Sequence, residues 1–183
     1  MNDMERLLEE LARRFGATNP LQVKMNQYYV SVPSAQAVAA LTQLKTLEGF
    51  GHLSFFTCVD YLEEDRFELL YLLHSYTRGT DLGVRVSIPR TLPVQMEGIH
   101  HLWAAGETYQ RELREMYGIE FPGSPRLHDD FALEGWQEMP PMRRDFDTKE
   151  YSLRTFEARP GRAKIDNREH MKKELYPSEA ETW

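Results

Sequence analysis

The sequence predicts an α+β fold: a two-layer domain of helices on a mainly antiparallel sheet of about four strands, followed by a long extended C-terminal tail. Three observations predict it. Two stretches near the N-terminus carry apolar residues at helical spacing. Three runs between His52 and Ile88 alternate in polarity at strand spacing. Beyond Gly118 the chain becomes rich in proline and poor in apolar residues. The expected partition is an α+β domain over residues 1–120 and a docking tail over residues 121–183.

Residues 2–15 read as an amphipathic helix, because Met4, Leu7, Leu8, Leu11 and Phe15 recur every three or four positions. Asn2 with Glu5 fits a capping box, and Gly16 fits a C-terminal stop. Val23, Met25, Tyr28, Val30 and Val32 indicate a strand or hairpin kinked at Asn26-Gln27. Ser34 is expected to cap a second helix through Ala37, Val38, Leu41 and Leu44, ending near Gly49. A meander follows: Leu53–Val59, a polar turn at Glu63–Arg66, Phe67–Leu73, a turn at Arg78–Asp81, then Leu82–Ile88. One face of it is drier than the other. Pro93 closes the sheet. Residues 105–117 return to helical spacing, with Tyr109, Leu113, Met116 and Tyr117 on one stripe and Gly118 as the stop.

The tail holds six of the ten prolines, which remove backbone donors and oppose regular structure. Only twelve of the last 41 residues are apolar, too few for a separate core. Tyr151, Leu153, Phe156, Ile165, Leu175, Tyr176 and Trp183 are spaced as anchors, so the tail is expected to dock on a partner. Residues 166–176 are expected to form one short helix.

Composition narrows the function. The net charge is −7, and residues 143–183 carry +1, so residues 1–142 carry −8. An acidic body argues against nucleic-acid binding, which needs a basic face. No run is long and apolar enough to span a bilayer. The acidic start Met1-Asn2-Asp3-Met4-Glu5 lacks the pattern of a secretory signal, so none is expected. Cys58 is the only cysteine, which leaves no disulfide or thiolate cluster and favours a reducing compartment. It reads as a small buried residue of a strand.

No catalytic, cofactor or metal site is expected. His100-His101 are adjacent and so point in different directions, a poor chelate. His128-Asp129-Asp130 has no positioned nucleophile, because Ser124 lacks an elbow motif. A small autonomous enzyme using His100, His101 and His128 is the alternative of another class. A free-standing adaptor is a third. The charges of residues 111–115 serve either as a solvated helix face or as an interface, and Arg111 and Glu115 are spaced to pair. Arg143-Arg144-Asp145 supplies planar donors suited to a partner's carboxylates.

One combination is more specific. Gln110-Arg111-Glu112, Glu115-Met116-Tyr117-Gly118-Ile119, Phe121, Gly123 and Pro125 are followed by Trp136 and Pro141-Met142-Arg143-Arg144-Asp145-Phe146. This pattern resembles the signature of the NADH dehydrogenase 30-kilodalton subunit family, the C subunit of respiratory complex I. The same family includes the homologous subunit of membrane-bound nickel–iron hydrogenases. The resemblance covers about residues 105–147. The family pattern begins Glu-Arg-Glu and has a Gly-His-Pro turn. Here Gln110 stands for the first Glu and Ser124 for the His. His128-Asp129 stands where an Arg pair is usual, and the length differs around Gln137–Pro140.

The resemblance implies a non-catalytic structural subunit in the peripheral arm of a complex-I-like redox complex. There it would clamp the large, D-like subunit, of the 49-kilodalton or hydrogenase type, and contact the iron–sulfur subunits. It implies no cofactor in this chain. Iron–sulfur clusters, with flavin or a nickel–iron centre, would lie in partner subunits that couple electron transfer to ion translocation. Membrane association would come only through the complex, on the cytoplasmic face, or the matrix side in an organelle. The departures suit an energy-converting hydrogenase or antiporter-linked oxidoreductase as the alternative to an NADH:quinone dehydrogenase. The residues carried over as interface are Arg111, Glu112, Glu115, Gly118, Gly123, Pro125, Trp136, Pro141, Arg143, Arg144 and Asp145.

Overall fold

The structure is a computed structural model that describes residues 3–156. Helix α1, Asp3–Phe15, buries Met4, Leu7, Leu11 and Phe15, the stripe that the sequence spacing predicts. It ends in an αL motif: Gly16 at φ 66° donates to the Ala12 carbonyl at 3.1 Å, and Ala17 donates to Leu11 at 3.3 Å. Asn2, the expected cap, lies outside the described residues.

Strands β1 (Thr18–Lys24) and β2 (Gln27–Ser31) form a hairpin that turns at Met25-Asn26. Helix α2, Ser34–Thr46, begins at its expected cap, so the cap falls one residue earlier. Pro33 is the cap and Ser34 the first helical residue. Proline's fixed φ suits a helix start. Strands β3 (His52–Tyr61), β4 (Arg66–Ser75) and β5 (Thr80–Pro89) make the expected meander, with a single 3-10 turn at Leu62–Glu64. Helix α3 is Ala105–Tyr117, and Gly118 closes it at φ 76°.

The sheet has five strands in the order β1-β2-β5-β4-β3. Every pairing is antiparallel except β2 with β5, which runs parallel in the register Tyr28↔Leu82, Val30↔Val84. The additional strand is β1. It is exposed along its whole length, so it carries no alternation to read.

β4 alternates strictly: Phe67, Leu69, Tyr71 and Leu73 are buried, while Leu70 and Leu72 are only half-buried. The helices cover the first face. Phe67 meets Tyr117 of α3 edge-on at 6.0 Å, and Phe56 stacks on Tyr71 at 4.2 Å. A bulge between Leu53 and Phe55 shifts the phase of β3. Phe56, Cys58 and Asp60 therefore face the core, whereas Phe55 and Val59 are exposed. Burial and the neighbouring Asp60 charge push the Cys58 thiol up, which keeps it protonated and inert.

The chain divides into two compact units, Met1–Phe146 and Asp147–Trp183. Residues 121–146, assigned to the tail on composition, thus lie in the first unit. In the second, helix α4 (Thr148–Thr155) is additional to the elements expected from spacing. Asp147 caps it by accepting from Lys149 N–H at 2.9 Å and Glu150 N–H at 2.8 Å. The short helix expected near residues 166–176, with Ile165, Leu175, Tyr176 and Trp183, lies outside the described residues. Among the described residues no helix is long and apolar enough to cross a membrane.

Candidate interface on residues 110–146

After α3 the chain is led back across the domain. Glu120 N–H donates to Val94 at 2.9 Å and its carbonyl accepts from Met96 at 2.9 Å. This places Ile119 and Phe121 in the core, fully buried. Gly123, at φ 82°, turns the chain so that Ser124 N–H donates to Phe121 at 3.1 Å. Pro125 follows on the surface. Gln110, a departure from the family pattern, is fully buried beneath this turn. Its Oε1 accepts from Ile99 N–H at 2.6 Å and its Nε2 donates to Ser124 Oγ at 2.5 Å. A chain without Gln110 would leave the buried Ile99 N–H and the half-buried Ser124 hydroxyl without these bonds.

Among the described residues, Leu127 is the last buried apolar one. From His128 to Phe146 every side chain is exposed or half-exposed. Polar contacts position this segment instead. Glu115 does not pair with Arg111 as its spacing suggests. Its carboxylate accepts from three consecutive backbone donors, Phe131 at 2.6 Å, Ala132 at 2.9 Å and Leu133 at 3.0 Å. Charge-assisted bonds to backbone N–H groups are the stronger kind, and three of them on one carboxylate outweigh an exposed helix pair. Trp136 closes the next turn by donating from Nε1 to Met139 O at 3.1 Å, and its ring lies 5.7 Å from Phe146. Pro140 rests on Gly118, where an added Cβ would come within 3.2 Å of its Cγ. Half-buried Pro141 leads to Met142, whose N–H donates to Met116 O at 3.0 Å.

Arg143-Arg144-Asp145 then meets two residues that the sequence reading missed. Asp60 and Arg90 form a buried ion pair, Nε to Oδ1 at 2.8 Å and Nη2 to Oδ2 at 3.1 Å. Arg90 Nη2 also reaches Asp145 at 2.8 Å, and Arg144 N–H donates to Asp60 Oδ2 at 2.9 Å. Burial opposes the charge on Arg90, but Asp60 and Asp145 together outweigh it and hold it above its ordinary value. The guanidinium groups of Arg90 and Arg143 each sit 5.3 Å from the Phe67 ring. Arg144 pairs outward with Glu63 at 2.5 Å, which draws that exposed carboxyl below the usual range. The signal for Asp60 was its phase. It shares the inward parity of Phe56 and Cys58, and a carboxylate on a dry face requires a partner.

Two signature charges remain without an ion partner among the described residues. Arg111 lies 5.8 Å from the Phe131 ring and its buried Nε has no acceptor. Glu112, one residue on, is pushed up by burial. The other α3 charges are satisfied, Glu107 by Arg126 at 2.6 Å and Arg114 by Glu120 at 3.5 Å. Phe131, Met139 and Met142 are exposed on the same segment.

The histidines do not converge on one centre. His100 is 3.5 Å from Gln110 and edge-on to His101, and His128 is exposed beside Glu120 at 3.8 Å. Among the described residues no group of three or more His, Cys, Asp or Glu is arranged to hold a metal ion.

Residues 30–152 match the sequence model of the respiratory-chain NADH dehydrogenase 30 Kd subunit. The chain belongs to that family. The 30 Kd match contains every residue of the interface described above. A relative, the C subunit of the NADH-quinone oxidoreductase of Moorella thermoacetica, is 32% identical over 151 residues, 80% of this chain and 92% of its own. The C subunit of the F(420)H(2) dehydrogenase of Methanosarcina mazei is 28% identical over 156 residues, 79% of this chain and 92% of its own. Among solved structures, a chain of the membrane-bound sulfane sulfur reductase, an archaeal respiratory membrane complex, superposes with a TM-score of 0.77. The match covers 90% of this chain and 98% of that one at 21% identity, so this likeness is one of fold.

Proposed function

We propose that this chain is a non-catalytic structural subunit of the peripheral arm of a complex-I-like, membrane-bound redox complex. Its docking face is residues 110–146, and its partner there is a large, D-like subunit. The observation that carries the reading is a segment held by polar bonds yet exposing Phe131, Met139 and Met142. Arg111 lies beside it, and neither Arg111 nor Glu112 has an ion partner among the described residues. An exposed apolar cluster with charged neighbours is what a protein partner covers. The relatives named as subunits of NADH-quinone oxidoreductase and F(420)H(2) dehydrogenase support the setting.

On this reading the chain holds no redox group. Iron–sulfur clusters and the flavin or nickel–iron centre belong to the partner subunits, which carry the electron transfer and its coupling to ion movement. The chain reaches the membrane only through those partners, on the cytoplasmic face or the organellar matrix side.

The test is affinity capture of the tagged chain from detergent-solubilised membranes, with the recovered chains identified by mass spectrometry. Recovery of a large subunit and iron–sulfur chains is expected. The cysteine pattern of that large subunit then separates the hydrogenase branch from the quinone branch. Recovery of the chain alone, from membranes whose complexes remain intact, overturns the proposal.

A further inference from the structure

We propose that Asp60 and Arg90 are positioning residues: their buried pair fixes where Arg143, Arg144 and Asp145 lie, and so orients the docking face. This rests on the docking reading above. Neither residue belongs to the motif that carries the family resemblance, and each comes from a different part of the sheet, Asp60 near the end of β3 and Arg90 just after β5.

No fully buried side chain fixes the register of residues 128–146. Among the described residues, four hydrogen-bonded attachments tie the segment to the domain body. Glu115 holds Phe131–Leu133, and the Met116 carbonyl holds Met142. Glu63 holds Arg144 at the surface, where such pairs contribute little. The fourth attachment is the one that is both buried and charged. Asp60 and Arg90 side chains are 2% and 8% exposed, and between them they grip the Arg144 amide and the Asp145 carboxylate.

A buried ion pair is a poor way to gain stability, since desolvating both charges offsets their attraction. It is an effective way to enforce one geometry. Asp60 Oδ2 accepts two directed hydrogen bonds, from Arg90 and from the Arg144 amide, and Arg90 bridges two carboxylates with a planar fork that lysine cannot reproduce. A segment displaced by one residue would leave Asp60 and Arg90 facing the wrong groups.

The experiment compares the full chain with Asp60→Asn and Asp145→Asn. Asp145 is more exposed, so its variant folds even where the first does not. Three quantities are read: hydrogen exchange of the Arg144 amide, labelling of Cys58 by a thiol reagent as a probe of core opening, and capture of the large subunit from membranes. The expected result is Arg144 exchange about tenfold faster in both variants, as loss of about 1.4 kcal/mol of local restraint gives. Capture should fall in parallel, with the Cys58 labelling rate unchanged in Asp145→Asn. Faster exchange with undiminished capture overturns this inference and leaves the docking reading intact. Unchanged Arg144 exchange in Asp145→Asn also overturns it. Failure of the unaltered chain to capture a large subunit removes the docking reading, and this inference with it.

Discussion

Gln110 uses both ends of its amide in full burial, on Ile99 and on Ser124. The family pattern has a Glu and a His at these two places, and both departures fall on groups 2.5 Å apart. In space they are one exchange, a chargeable pair for a neutral one. Replacing Gln110 by Ala should cost about 2–3 kcal/mol, because it strands a backbone donor and a hydroxyl. Urea denaturation followed by circular dichroism checks this. Glu112 makes the opposite kind of prediction. Burial raises its carboxyl above 4.5, so its ionised form costs the fold stability as pH rises through that region. Glu112→Gln should therefore raise the denaturation midpoint of the isolated chain at neutral pH, with the gain vanishing below pH 4.5. Equal midpoints at neutral pH would remove the idea that this charge is held for a partner.

Among the elements, α3 opens the proposed docking face, and its closing glycine sets how the segment leaves it. Gly118→Ala places a side chain at φ 76° and within 3.2 Å of Pro140, whereas Gly123→Ala at φ 82° meets open space. Both should lose about 1–2 kcal/mol for the left-handed backbone, and Gly118→Ala more, measured as thermal or urea midpoints. The sequence made α1, the meander and α3 readable, because each has one buried and one wet face. It left β1 open, as one arm of a strand or hairpin, because that strand has neither. The contacts that position residues 110–146 were half legible. Gly118, Glu115 and the Arg-Arg-Asp run stood out by composition. Asp60 and Arg90 did not, because their significance lies in contacts between residues 30 and 55 positions apart. Arg111 and Glu115 misled for a related reason: helical spacing shows which partners are near, not which distant backbone donors compete for them.

For the whole molecule, the division at Phe146 predicts how the chain can be shortened. A chain ending at Phe146 should keep a single cooperative unfolding transition. One ending at Glu120 loses Phe121 and Leu127 from the core and every bond that Glu115, Asp60 and Arg90 make to the segment. Its transition should broaden and fall, by about 3 kcal/mol or more for the Phe121 side chain alone. Differential scanning calorimetry distinguishes the two.

The parallel pairing of β2 with β5 also governs the order of events during synthesis. The hairpin of β1 and β2 leaves the ribosome before the strand it must join, which ends at Pro89 after β3 and β4 have both been made. Until then the apolar inner residues of β2, Tyr28 and Val30, have no sheet to enter. The meander closes through local turns, while the hairpin waits on a long loop whose closure is entropically slower. The unpaired β1–β2 hairpin should therefore be the part of these strands most open to chaperones until β5 is made.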